Sequence, residues 1–185
     1  MKEQKKLEWI TAGYEMIAQN GMKSIRIESI ARQLNKNKSS FYHYFGDAEI
    51  FDDELLEYHT AQIRKFADRA KDCEHIRPDL LNLFIEHKTD LFFHKQLRIN
   101  RHTPKYKACF ERSFQQLEDA IIDKWADFLG LENKTLFARA FLNLIAENFL
   151  LQITENTFSY QWLDEYLDEV QGLLKQMGTS PDIGH

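Results

Sequence analysis

The sequence predicts an all-α protein: a small three-helix domain at the N-terminus, joined through one long helix to a larger helical domain. Three observations carry this. Gly (7) and Pro (3) are scarce in the 185 residues, whereas the helix formers Leu, Glu, Lys and Gln are abundant. Apolar residues return at helical spacing in segment after segment. The interruptions place Gly, Asn, Asp, Ser or Pro where helix ends need them.

Lys2 to Asn20 reads as the first helix, with an inner stripe of Trp9, Ile10, Gly13, Met16 and Ile17 and with Gly21 at the left-handed closing position. Gly13 lowers helix propensity inside that stripe, which implies close approach by a neighbouring helix. A short second helix spans about Ile27 to Leu34, its apolar face being Ile27, Ile30, Ala31 and Leu34. Asn35 tolerates the left-handed turn that follows, and Asn37 caps a third helix from about Lys38 to Tyr44, backed by Phe41 and Phe45. Asp47 caps a long fourth helix reaching about Ala70, with Phe51, Leu55, Tyr58, Gln62, Ile63 and Phe66 along one side. Pro78 starts a helix that continues through Leu80, Leu81, Phe84, Ile85, Leu91 and Phe92. After a polar break from Arg98 to Pro104, a helix from about Lys105 to Phe128 ends near Gly130. Another spans about Thr135 to Ile153, and the last runs from Tyr160 to Met177 between Ser159 and Gly178. The expected division is 1–50, 51–178, and a disordered tail at 179–185.

Bulk composition narrows the class. Hydrophobic residues make up 43% and charged residues 29%, as in a globular protein. No apolar run approaches the ~18 residues of a membrane span, and the N-terminus lacks the apolar block of a signal peptide. Cys73 and Cys109 are far apart and show no metal-type spacing, so a cytoplasmic, reduced protein is expected. The net charge of −5 is unevenly spread: residues 1–45 hold eight Lys/Arg against four Glu, net +4, and the remainder nets −9. Only the first quarter of the chain is suited to meet a phosphate backbone.

The second and third helices, joined by a three-residue turn, have the geometry of a helix-turn-helix. The third exposes Asn37, Lys38, Ser39, Ser40 and His43 near its N-terminus and turns Phe41 and Phe45 inward. A solvated surface helix pair would show the same polarity. The residues are more specific. Ile30-Ala31, the turn at 35–37, the Ser39-Ser40 pair and Phe41-Tyr42-His43-Tyr44-Phe45, with Ala18-Gln-Asn-Gly21 upstream, resemble the tetracycline-repressor (TetR) family of regulators over about residues 3–55.

The resemblance implies a dimeric DNA-binding transcriptional regulator, a repressor acting on a near-palindromic site in double-stranded DNA. It implies a phosphate contact for Tyr42 and base or backbone contacts for Lys38, Ser39, Ser40 and His43. Lys36, Asn37 and Arg26 complete the expected DNA-binding set. Three positions depart from the family pattern. Asn35 replaces the turn Gly, Arg26 stands where a Thr caps the second helix, and Ala48 stands where a phosphate-binding Lys is common. The last change removes a salt-dependent contact.

A two-turn recognition helix covers few base pairs, so specificity needs two copies on the duplex. The expected homodimer interface comprises Phe149, Leu163, Tyr166, Leu167, Val170 and Leu174, on the last two helices that form a four-helix bundle in TetR-like proteins. The same stripe would serve equally as an intramolecular core. The middle helices are rich in aromatic residues. Phe84, His87, Phe92, Phe110, Phe114, Trp125, Phe141 and Asn148 are the candidates for binding a small apolar effector, as related proteins do there; plain core is the alternative. His87, Asp90 and His94 share a helix face by spacing, which a solvated mixed-charge surface explains better than a metal site. No metal or cofactor is expected. No phosphate-binding Gly loop, nucleophile elbow or paired Glu-x-x-His motif is present, so the chain is not expected to be an enzyme, a helical metal-binding one included. The remaining alternative is a TetR-fold adaptor acting through protein contacts.

Overall fold

The computed structural model describes residues 2–178; the tail expected at 179–185 lies outside the described residues. Nine α-helices make up the described chain: α1 (Lys2–Asn20), α2 (Ile27–Gln33), α3 (Lys38–Phe45), α4 (Ala48–Asp72), α5 (Leu81–Glu86), α6 (Lys88–Ile99), α7 (Pro104–Leu129), α8 (Thr135–Gln152) and α9 (Tyr160–Gly178). Packing divides them into two compact units. One takes the residues up to Phe66 together with His87–Leu117, and the other takes Ala67–Glu86 with the residues from Glu118 on. The line is drawn elsewhere than the expected boundary at residue 50. The reason is α6, which lies along α1 and shares its core.

The first unit is built on aromatic side chains. Trp9 meets Phe41 edge-on at 5.5 Å between ring centres, and Phe41 lies 4.9 Å from Phe45 and 5.1 Å from Phe51. All four rings are buried. A Cβ on Gly13 would stand 2.6 Å from Cζ of Phe51, so the close approach implied by this glycine is that of α4. Further along α1, Tyr14 stacks on Phe93 of α6 at 4.2 Å. Gly21 does end α1 with a positive φ of 86° that favours glycine, but its ψ of 165° places it outside the left-handed helical well.

The second unit packs α5, α8, α9 and the ends of α4 and α7. Indole Nε1 of Trp125 donates to the Ala138 carbonyl at 3.2 Å, and the Tyr166 hydroxyl donates to the Ile145 carbonyl at 3.0 Å. Arg77 reaches Asp164 at 2.6 Å and Asp168 at 2.7 Å, tying the turn before α5 to α9.

The single helix expected from Pro78 onward is in fact three pieces. A wide turn covers Ile76–Leu80, α5 follows, and the chain leaves helical geometry at His87 (φ −97°, ψ 24°) before α6 begins. At the break, the His87 imidazole bonds the Asp90 carboxylate in the first turn of α6 at 2.7 Å.

Candidate nucleic-acid interface

The turn between α2 and α3 is made by Asn35 at φ 52°, the one non-glycine residue with positive φ among the described residues. Its short side chain makes that conformation tolerable. The Lys36 amide then donates to the Ala31 carbonyl at 2.8 Å, closing the end of α2. Asn37 starts α3: its side-chain oxygen accepts from the Ser40 amide at 2.8 Å. Arg26, at the corresponding position before α2, makes no side-chain cap. The inner face of α3 is fixed by fully buried Phe41 and Phe45. The opposite face therefore presents Lys38, Ser39, Tyr42 and His43 to solvent, Tyr42 at 44% exposure.

The electrostatics are less generous than the count of lysines implies. Lys36 is paired with Glu8, and Lys38 lies 2.5 Å from Glu28 while sitting 5.9 Å above the Tyr42 ring. The pairing with Lys38 holds the Glu28 carboxyl below its usual range, and Glu28 in turn raises the Lys38 ammonium. Both are exposed surface pairs, which are cheap to open, so a phosphate can compete for either lysine. Ser40 is partly engaged as well, its hydroxyl donating to the Asn37 carbonyl at 2.8 Å. At the start of α4, Asp47 accepts from the amides of Glu49 and Ile50 at 2.8 and 2.9 Å. With Ala48 beside it, that helix terminus is filled by the protein's own carboxylate and offers a phosphate neither a lysine nor those two amides.

Residues 10–49 match the bacterial regulatory proteins of the tetR family. The N-terminal module is of the tetR family. The match covers α2, α3 and most of α1, the segment whose turn, cap and inner face are described above. Two solved structures share the fold. One, from Mesorhizobium loti MAFF303099 and assigned to the TetR-family transcriptional regulators, superimposes with a TM-score of 0.60 at 14% identity, over 96% of this chain and 98% of its own. The other, from Rhodococcus sp. and assigned likewise, gives a TM-score of 0.56 at 14% identity, over 94% and 98%. No curated protein matches the chain significantly. The tetR-type module thus carries a DNA-binding helix-turn-helix, α2 and α3, in an all-α chain.

The other expected sites are placed differently from the sequence reading. The effector candidates divide: His87, Phe92, Phe110 and Phe114 belong to the first packing unit, and Phe84, Trp125, Phe141 and Asn148 to the second. Within the second, Trp125 stacks with Phe141 at 6.2 Å and Phe84 lies 6.0 Å from Phe149. Asn148 does not join an aromatic interior; it is exposed, and its oxygen accepts from Gln152 and from the Tyr166 hydroxyl. Of the residues expected between two protomers, Leu163, Tyr166, Leu167 and Val170 are buried within this chain, and Phe149 and Leu174 are half-buried. Their stripe faces the protein's own core because α9 must cover α8 and α5.

The expectation of a solvated face at His87, Asp90 and His94 is overturned by burial. Asp90 and His94 are buried and His87 is half-buried. Among the described residues, no three His, Cys, Asp or Glu side chains converge as metal ligands. The sequence reading passed over His59, which is fully buried beside them. Its position was the available signal, four residues after Leu55 and four before Ile63 on the inner stripe of α4. Among the described residues, no helix is long and apolar enough to cross a membrane.

Proposed function

We propose that the chain is a homodimeric, sequence-specific repressor of the cytoplasm, binding a near-palindromic operator and released by a small, largely apolar effector. The observation that carries the reading is α3 itself: two buried phenylalanines hold it so that Lys38, Ser39, Tyr42 and His43 share the free side. That is the arrangement a groove-reading helix needs, with its polar N-terminal residues presented and its apolar back braced. Arg26, Lys36, Asn37 and Ser40 flank this side as backbone contacts. The test is selection of bound fragments from a random duplex pool at low and high salt. Enrichment of a near-palindrome is expected. Tyr42→Ala should weaken binding by roughly tenfold while leaving the melting temperature unchanged, since the ring is a surface group. Lys38→Ala should lower the slope of log affinity against log salt by about 1 for each DNA-bound copy. Salt-sensitive binding without enrichment would instead favour an adaptor that works through protein contacts, a reading supported by the paired lysines and the self-capped start of α4.

The dimer contact is reassigned. Phe137, Leu144 and Leu151 on α8 recur every seven residues and are exposed, Leu144 at 62% and Leu151 at 72%, and α9 adds exposed Leu173 and Met177. An apolar row of this kind on a surface marks an association site, and a second copy is the partner that two operator half-sites demand. Leu144→Lys should convert the dimer to monomer in light scattering with helical content retained, because it places an unpaired charge in the interface without touching the core. An unchanged mass would exclude this face.

A further inference from the structure

Four buried side chains in the first packing unit form one hydrogen-bonded chain. The Tyr14 hydroxyl lies 2.8 Å from Asp90 Oδ1 and 2.8 Å from His59 Nδ1, and His59 Nε2 lies 3.3 Å from His94 Nδ1. His87 Nδ1 approaches the other carboxylate oxygen, Asp90 Oδ2, at 2.7 Å. The protons of this chain can be assigned from donor and acceptor counting. A carboxylate only accepts, so the single Tyr14 proton goes to Asp90. The Tyr14 oxygen must then accept from His59, which makes His59 an Nδ1–H tautomer with a bare Nε2. His94 must therefore donate from Nδ1, leaving its own Nε2 bare. That last nitrogen is buried and has no hydrogen-bond partner among the described residues. Burial also holds both imidazoles neutral, His94 titrating at about 3 and His59 well below its ordinary value.

The relay thus ends in one lone pair, and its surroundings are aromatic. The His94 ring stacks on Phe110 at 4.5 Å and lies parallel to Phe114 at 6.5 Å. Both phenylalanines are only half-buried, whereas His94 itself is as buried as Tyr14, each at 2% exposure. A buried acceptor left unmet is costly, and an incoming donor recovers that cost. We propose that His94 Nε2 is the polar anchor of the effector, and that the effector carries an O–H or N–H donor on an aromatic or other flat apolar body that stacks on Phe110 and Phe114. The proposal rests on the reading of the chain as a ligand-responsive regulator and names that ligand's chemistry. It also gives the ligand a route to the DNA-binding helices. A donor at His94 polarises each following bond, through Tyr14 on α1 to Asp90, and α1 is the helix whose Trp9 braces Phe41 of α3.

The experiment is imidazole ¹⁵N NMR on the full-length protein, titrated with indole and with 1-methylindole, which has the same shape and no donor. In the free protein His94 Nε2 is expected to resonate as an unprotonated nitrogen. Indole should move that resonance and bind about tenfold more tightly than 1-methylindole, the worth of one recovered hydrogen bond. In His94→Phe the preference should vanish. A protonated Nε2 in the free protein, equal affinity for the two probes, or no saturable indole binding would overturn the anchor. The wild-type spectrum alone decides the tautomers, so the proposal stands or falls even if His94→Phe does not fold. Operator binding that is insensitive to bound indole would count against the effector reading instead, leaving the anchor in place.

Discussion

Replacing Phe41 with Ala is expected to cost about 3–5 kcal/mol and to abolish DNA binding with it. The ring is fully buried and lies edge-on or tilted against Trp9, Phe45 and Phe51, which come from α1, α3 and α4. Its removal opens a cavity lined by three rings that cannot close over it without moving their helices. The loss is also larger than burial alone would give, because each edge-to-face pair contributes beyond its area. Urea unfolding followed by circular dichroism measures the stability, and fluorescence anisotropy on a labelled duplex measures the binding. The contrast with Tyr42→Ala is the informative part. Phe41 and Tyr42 are neighbours in sequence, the first buried and the second exposed, so one substitution should lower stability and binding together and the other chiefly binding. If Phe41→Ala were as stable as the parent, the inward face of α3 would have been assigned wrongly and the exposed set with it.

The N-terminal module was legible in the sequence because its signals are local. Asn35 and Asn37 encode the turn and the cap through their own side chains, and the close approach at Gly13 follows from the missing Cβ. Asp47 declares the start of α4 in the same way. What was not legible depends on partners distant in sequence. An apolar stripe such as Leu163, Tyr166, Leu167 and Val170 reads the same whether it meets its own core or a second copy, since periodicity reports burial and not the identity of what covers it. The break at His87 was invisible because Leu80 to Phe92 keeps plausible helical spacing across it. The pairing of Lys38 with Glu28 spans ten residues and two helices, and no spacing rule links them. The buried relay was the largest omission. Tyr14, His59, Asp90 and His94 come from three helices, and each alone looks like an ordinary polar residue on an amphipathic face.

That relay makes the protein acid-sensitive in a window where carboxylates are silent. In the unfolded chain the His94 imidazole takes a proton near the ordinary 6.5, whereas in the folded chain burial delays this to about 3. Between those values the unfolded state binds more protons, so stability is full above pH 6.5 and falls as the pH drops, by about 1.4 kcal/mol per pH unit for one such group. From pH 7 to pH 5 the loss through His94 alone is about 2 kcal/mol. His59, lowered by burial and then by the neighbouring His94, adds to it in the same direction. Most carboxylates stay ionised down to pH 5, so a fall in urea midpoint across this range reports on histidines. His94→Phe keeps an aromatic ring against Phe110 and removes the titrating group, and its midpoint should fall less between pH 7 and pH 5 than that of the parent. An equal fall in both proteins would mean that His94 meets solvent protons freely in the folded state, which its burial does not allow. The direction also separates this network from a surface histidine paired with a carboxylate, which gains stability on acidification. Here the neutral form is the one the fold requires, because protonating His94 or His59 would place a charge among Phe93, Phe110 and Tyr14 with no carboxylate directly bonded to either ring among the described residues.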